Sequence, residues 1–148
     1  MKVLKAKRKP RIFNSKASWQ EIGGKRIYFR SKWEWRYALY LQLRKENGEI
    51  LDWAYEPQTF WFDKIKRGTT SYKPDFSILE DQGCTIWIEV KGYMDSRSIV
   101  KLKRFKRYFP NEKIIVVEGP WFLKNYLVLD MLEKIHIKKL NHKEDPCH

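Results

Sequence analysis

Tyr72-Lys73-Pro74-Asp75-Phe76-Ser77-Ile78-Leu79 and Cys84-Thr85-Ile86-Trp87-Ile88-Glu89-Val90-Lys91 are two strand-like runs separated by the turn-type stretch Glu80-Asp81-Gln82-Gly83. The spacing predicts strands over 72–79 and 84–91, paired as an antiparallel hairpin. Residues facing each other across such a hairpin have numbers of constant sum. With the turn centred on Gln82, Asp75 therefore stands directly opposite Glu89, with Cβ atoms about 4.5–5.5 Å apart. Directly opposed like charges destabilise a sheet unless a cation lies between them. A hard divalent ion relieves the conflict. Magnesium suits carboxylate oxygens, keeps several waters and bridges to phosphate. Alternation turns Ile86, Ile88 and Val90 toward the core and Trp87, Glu89 and Lys91 to the other face. Lys91 is thereby placed beside the acids, where its ammonium can orient an attacking water or balance charge on phosphoryl oxygens.

A plainer reading exists for each residue alone: Asp75 as a strand-entry residue after Pro74, and Glu89 with Lys91 as an alternating pair on a solvated face. The conjunction favours a site, because a proline–aspartate entry, a Glu-x-Lys in a strand otherwise made of Ile and Val, and a register opposing the two acids coincide.

Upstream, Gly23-Gly24 between Ala17–Ile22 and Lys25–Phe29 predicts a small β-hairpin. Ser31-Lys32-Trp33-Glu34 matches a capping box and opens a helix near 32–46, with Trp33, Tyr37, Tyr40 and Leu41 at helical spacing up to Asn47-Gly48. Residues 54–62 read as one strand bent or placed at an edge by Pro57, and Lys64–Thr70 as a polar loop. Downstream, Ser96–Phe109 is a predicted helix stopped by Pro110, with Ile99, Leu102, Phe105 and Phe109 along one side. Lys113–Glu118 is a predicted buried strand, residues 121–134 a helix, and Ile135–Leu140 a short final strand. This order implies a mixed α/β domain.

The 148 residues fit one domain at 17–140, preceded by a basic arm at 1–16 and followed by a polar tail at 141–148. No run of about 18 apolar residues and no apolar leader segment is present, so a soluble, cytoplasmic protein without membrane association is expected. Cys84 and Cys147 offer neither a disulfide framework nor a metal knuckle, and His136, His142 and His148 with Cys147 fit no tetrahedral zinc spacing. Trp61, Trp87 and Trp121 read as core or hairpin packing.

Charge supplies the second clue. Thirty-one Lys and Arg against eighteen Asp and Glu give a formal +13 and a pI near 9.7, which favours a polyanionic partner. Two runs lack interleaved acids: Lys2, Lys5, Lys7, Arg8, Lys9, Arg11 and Lys16 before Glu21, and Arg97, Lys101, Lys103, Arg104, Lys106 and Arg107 after Lys91. They are read as phosphate contacts, with solvated surface as the plainer alternative.

Pro74-Asp75 followed by Glu89-Val90-Lys91 resembles the hallmark of the PD-(D/E)xK nuclease superfamily. Phe29-Arg30-Ser31 with Glu34, Tyr55-Glu56, Tyr72-Lys73-Pro74-Asp75-Phe76 and Glu89-Val90-Lys91-Gly92 look like the phage endonuclease I type of Holliday-junction resolvase over roughly residues 29–110. The resemblance implies a restriction-endonuclease-like α/β core, with a mixed central β-sheet flanked by helices. The resemblance implies magnesium held by Asp75, Glu89 and the carbonyl of Val90; manganese is an open alternative, and no small-molecule cofactor is expected. It further implies Glu34 as an additional catalytic acid and metal ligand, Lys91 as the residue assisting attack, and a homodimer acting on branched DNA. Glu34 has an alternative as the capping-box glutamate, and Arg30 fits a phosphate contact or a carboxylate pair equally. The basic arm, the Gly-Gly hairpin and the chain's end depart from the family pattern. Competing functions are a sequence-specific, nicking or transposase-type DNA endonuclease, a DNA-binding protein with an inactive nuclease core, and an RNA-binding module.

Overall fold

The computed structural model describes residues 16–143. Of the sequence-based expectations, the basic arm up to residue 15, with Lys5, Lys7, Arg8, Lys9 and Arg11, and the terminal Cys147 and His148 lie outside the described residues.

Gly23 and Gly24 take φ values of 58° and 77°, which glycine reaches without steric penalty. They close β1 (Ser18–Ile22) onto β2 (Lys25–Phe29) as the expected antiparallel hairpin. Ser31 then caps α1 (Lys32–Glu46), its Oγ accepting the Glu34 amide at 3.2 Å. The buried side of α1 is wider than the predicted stripe, since Trp35, Ala38 and Leu39 join Tyr37 and Leu41 in the core. The reason is that α1 is packed on several sides, by β1, β2, β3 and the last helix.

The predicted strand over 54–62 is two strands in two different sheets: β3 (Asp52–Tyr55) and β4 (Phe60–Trp61). Between them Glu56 adopts a φ of 44°, a left-handed conformation that turns the chain out of the sheet, and Pro57 cannot donate to a ladder. The run over 72–79 divides in the same way into β5 (Ser71–Tyr72), paired with β4, and β6 (Phe76–Leu79), paired with β3 and with β7 (Thr85–Lys91). The β6–β7 register is the expected one: Phe76 faces Ile88, Ser77 faces Trp87 and Ile78 faces Ile86.

From β7 the chain crosses through α2 (Ser96–Tyr108) to β8 (Lys113–Glu118), which lies parallel to β7. The central sheet has the order β3-β6-β7-β8 and is mixed. Because β8 is an edge, only Val117 of that strand is buried and Ile115 is exposed, in contrast to the buried strand expected. After α3 (Gly119–Lys124), α4 (Tyr126–Lys143) runs through residues 135–140 as helix, so the predicted final strand does not form. Its inward residues Leu129 and Leu132 pack on the main core and its Asp130 and Glu133 bind Arg36 of α1, a helical repeat that overrides the β-propensity of the isoleucines.

The two faces of the sheet carry two cores. Phe76, Ile78, Ile86, Ile88 and Val90 pack under α1 with Phe29, Trp53 and Leu41. On the other face Trp87 meets Phe60, Phe62, Tyr72 and Phe105, so α2 and the β4–β5 hairpin cover what would otherwise be a solvated surface. Leu102 and Phe109 join this cluster, whereas Ile99 is 42% exposed. The protein is thus mixed α/β, with a mixed central sheet flanked by helices. No described helix is long and apolar enough to cross a membrane.

Candidate active site

Asp75 immediately precedes β6, and by alternation with Phe76 it shares the face of Ser77, Trp87, Glu89 and Lys91. Its Oδ2 accepts the backbone amide of Val90 at 2.7 Å, so the carboxylate is tied to the strand that carries Glu89. Glu89 accepts the Tyr72 hydroxyl at 2.7 Å through Oε2. One oxygen of each acid is thereby committed, and the other has no hydrogen bond among the described residues.

Electrostatics mark the two acids as a conflicting pair. Burial, and then the charge of Glu89, push the Asp75 carboxyl up to about 8, against the lowering effect of the Val90 amide and Lys91. Burial also raises Glu89, opposed by the Tyr72 hydrogen bond and by Lys91 and Lys101. A protein gains nothing structurally from two acids so placed, and one divalent cation would remove the repulsion of both. Among the described residues no three His, Cys, Asp or Glu side chains gather as a ligand group. A cation here would therefore take two carboxylates and complete its shell with water and backbone oxygen. This donor set suits magnesium, which retains several waters and is commonly bound by one or two carboxylates.

Glu34 stands at the first turn of α1, facing this end of the sheet. Its Oε2 accepts the Tyr55 hydroxyl at 2.7 Å and the Arg30 amide at 3.1 Å. The capping alternative is thus half realised: the side chain satisfies a backbone amide, but that of Arg30 rather than of the cap residue Ser31. Glu34 also adds to the field that raises both Asp75 and Glu89. Arg30 pairs with Glu56, which also accepts Lys73 at 3.1 Å. The carboxylate alternative for Arg30 is therefore the one present, and Glu56 is a link between two cations rather than a member of the acid pair.

Lys91 lies close enough to act on Asp75, Glu89 and Asp95 electrostatically, yet it enters no ion pair among the described residues. Of the α2 cations, Lys101 faces Glu89. Arg104 differs from its expected role: its guanidinium donates to the Thr69 carbonyl and holds the loop after β4. Arg97, Lys103, Lys106 and Arg107 are exposed. The eight ion pairs among the described residues involve α1, α4, β3 or the Arg30–Glu56–Lys73 link, and none includes α2 or residues 62–70. Lys91 and Lys101, the cations that act on Glu89, thus enter no ion pair among the described residues.

Sequence reasoning missed Tyr55 and Tyr72 as partners of the acids. Both stand in the quoted motifs, but which carboxylate each hydroxyl reaches depends on contacts 17 and 21 residues distant.

Residues 14–124 match the model of a family described as Protein of unknown function (DUF1064). No curated protein matches the chain.

Proposed function

Starting from a chain that belongs to the DUF1064 family of unknown function, we propose that the protein is a metal-dependent endonuclease that hydrolyses DNA phosphodiesters, structure-selective on branched DNA, with a PD-(D/E)xK-type site. One observation carries the reading: two mutually repelling, half-buried carboxylates, Asp75 and Glu89, share a sheet face with Lys91, an ammonium without an ion pair among the described residues. A structural salt-bridge network would neutralise these groups within the protein, whereas here they remain to be satisfied by a ligand with both a cation and an anion.

Magnesium held by Asp75 and Glu89, with the Val90 carbonyl and Glu34 contributing directly or through water, would polarise a phosphate and lower the pKa of a bound water. Val90 fixes Asp75 through its amide and Tyr72 fixes Glu89, so neither acid spends binding energy on orientation. Lys91 holds or guides the attacking water and offsets charge on the phosphoryl oxygens. The unpaired cations of α2 bind flanking phosphates, a contribution that weakens with salt. Action as a homodimer on a four-way junction belongs to the same proposal and rests on the motif resemblance.

The test is incubation with magnesium and matched linear duplex, single strand, flap and four-way junction, alongside Asp75→Asn and Lys91→Ala. Cleavage centred on the junction and lost in both variants is expected. Cutting indifferent to structure would move the assignment to another DNA endonuclease, and binding without cleavage would make this an inactive nuclease core.

A further inference from the structure

The hairpin of β4 and β5 reaches the acid pair only through the Tyr72 hydroxyl, yet its outer side is built as a presentation arm. Its inward side chains Phe60, Phe62 and Tyr72 fill the second core. Alternation turns Trp61 outward, where it is 66% exposed and makes no ring contact among the described residues. Trp19 is also exposed, at 58%, but it packs on Tyr28 and carries the Arg26 guanidinium over its ring. Trp61 is therefore a large apolar surface kept in water with no protein partner described.

The loop at the end of this hairpin is exposed and basic through Lys64, Lys66 and Arg67, with Asp63 as its one acid. It is also fastened. Tyr108 of α2 donates to the Asp63 carbonyl at 2.7 Å, Arg104 of α2 donates to the Thr69 carbonyl, the Phe62 amide donates to the Thr70 carbonyl at 2.8 Å, and Ile65 packs on the second core. Lys64 holds a φ of 61° within this frame. Such backbone strain persists only where surroundings over-determine it. The three cations form no ion pairs among the described residues, so they meet solvent from a held backbone.

We propose that the β4–β5 hairpin is a second nucleic-acid contact, in which Trp61 stacks on an unpaired base while Lys64, Lys66 and Arg67 hold the phosphates beside it. The proposal rests on the nuclease reading of the site and names its substrate class: nucleic acid with a base out of the duplex stack near the cleaved phosphate. Stacking is what an isolated exposed ring among cations does best with nucleic acid, and bases within an intact duplex offer it no free face. The location agrees. Trp61 faces Ser71 across the hairpin, four residues before Asp75, which keeps the ring's backbone within about 20 Å of the acid pair. That span corresponds to no more than about six nucleotide steps at 3.4 Å each.

The experiment uses the full chain with calcium to hold substrate, and two DNA duplexes, one continuous and one with a short single-stranded gap carrying 2-aminopurine. Trp61→Ala should weaken binding to the gapped duplex roughly tenfold and abolish the stacking change in 2-aminopurine fluorescence, with little effect on the continuous duplex. Trp61→Phe should retain most of both. Replacing Lys64, Lys66 and Arg67 with Ala should reduce the slope of log affinity against log salt by about 2 on the gapped duplex. Unchanged gap binding and an unchanged probe signal in Trp61→Ala would overturn the hairpin contact alone, provided the parent binds and cleaves. A parent that binds neither DNA would overturn this contact and the nuclease reading together. Because the ring is exposed, equal melting temperatures of parent and Trp61→Ala serve as the folding control.

Discussion

The Tyr72 hydroxyl lies 2.7 Å from Oε2 of Glu89 and donates to it, joining the aromatic cluster under α2 to an acid of the candidate site. Burial and the Glu89 charge raise the phenol far above its ordinary pKa, so it remains a donor at any working pH. Tyr72→Phe keeps the ring against Phe105 but frees the carboxylate. Loss of the bond should cost about 1–2 kcal/mol in stability and slow cleavage roughly tenfold at saturating DNA with little change in apparent affinity. A variant equal to the parent in turnover would show that Glu89 needs no orientation.

Without a metal, the acid pair should make the protein less stable as pH rises. The Asp75 carboxyl is raised from 3.8 to about 8 in the fold, so between those values the folded state holds a proton that the unfolded chain has released. Stability is then highest below the unfolded value and is lost as pH climbs toward about 8. Glu89 is shifted in the same direction. Magnesium should restore stability most at the alkaline end of this window. Thermal melts from pH 5 to 8.5 with chelator or magnesium measure both effects, and a chelated protein whose melting temperature rises through this range would contradict them.

Asp75→Asn removes one of the two opposed charges while its amide oxygen can still accept from Val90. The metal-free variant should melt higher than the parent at pH 8 and lose cleavage altogether, the trade expected where a site stores unfavourable electrostatics. A lower melting temperature at that pH would mean that Asp75 serves the fold and not a ligand.

Lys91→Ala should lower cleavage by about 100-fold or more and leave stabilisation by magnesium in place, since Lys91 opposes no acid in an ion pair. Cleavage within a few-fold of the parent would remove Lys91 from the chemistry.

Away from the site, Arg36 joins α1 to α4, together with Lys32, which also pairs with Glu133. Arg36 bonds Glu133 at 2.7–2.8 Å and stands 3.8 Å from Asp130, with the Tyr126 ring beneath its guanidinium. Arg36→Ala leaves Glu133 only the Lys32 ammonium, at 3.1 Å, and should cost about 1–3 kcal/mol, read from urea denaturation. A loss below about 1 kcal/mol would show that apolar packing and the Lys32–Glu133 pair join these helices without Arg36.

The sequence by itself determined whatever depends on near neighbours. Gly23-Gly24 fixes its hairpin through φ, Ser31 its helix through a cap, and the turn at Gln82 the register that brings Asp75 alongside Glu89, because each is set within a few residues along the chain. Only the tertiary structure decided what depends on segments far apart. Glu56 and Pro57 split one apolar run between two sheets, α1 draws residues 135–140 into a helix, and Arg104 leaves the cationic surface to hold the Thr69 carbonyl. Trp61 is left in water while Trp87 is buried. No local pattern separates those two tryptophans, since each side chain's surroundings are built from parts of the chain that meet only after folding.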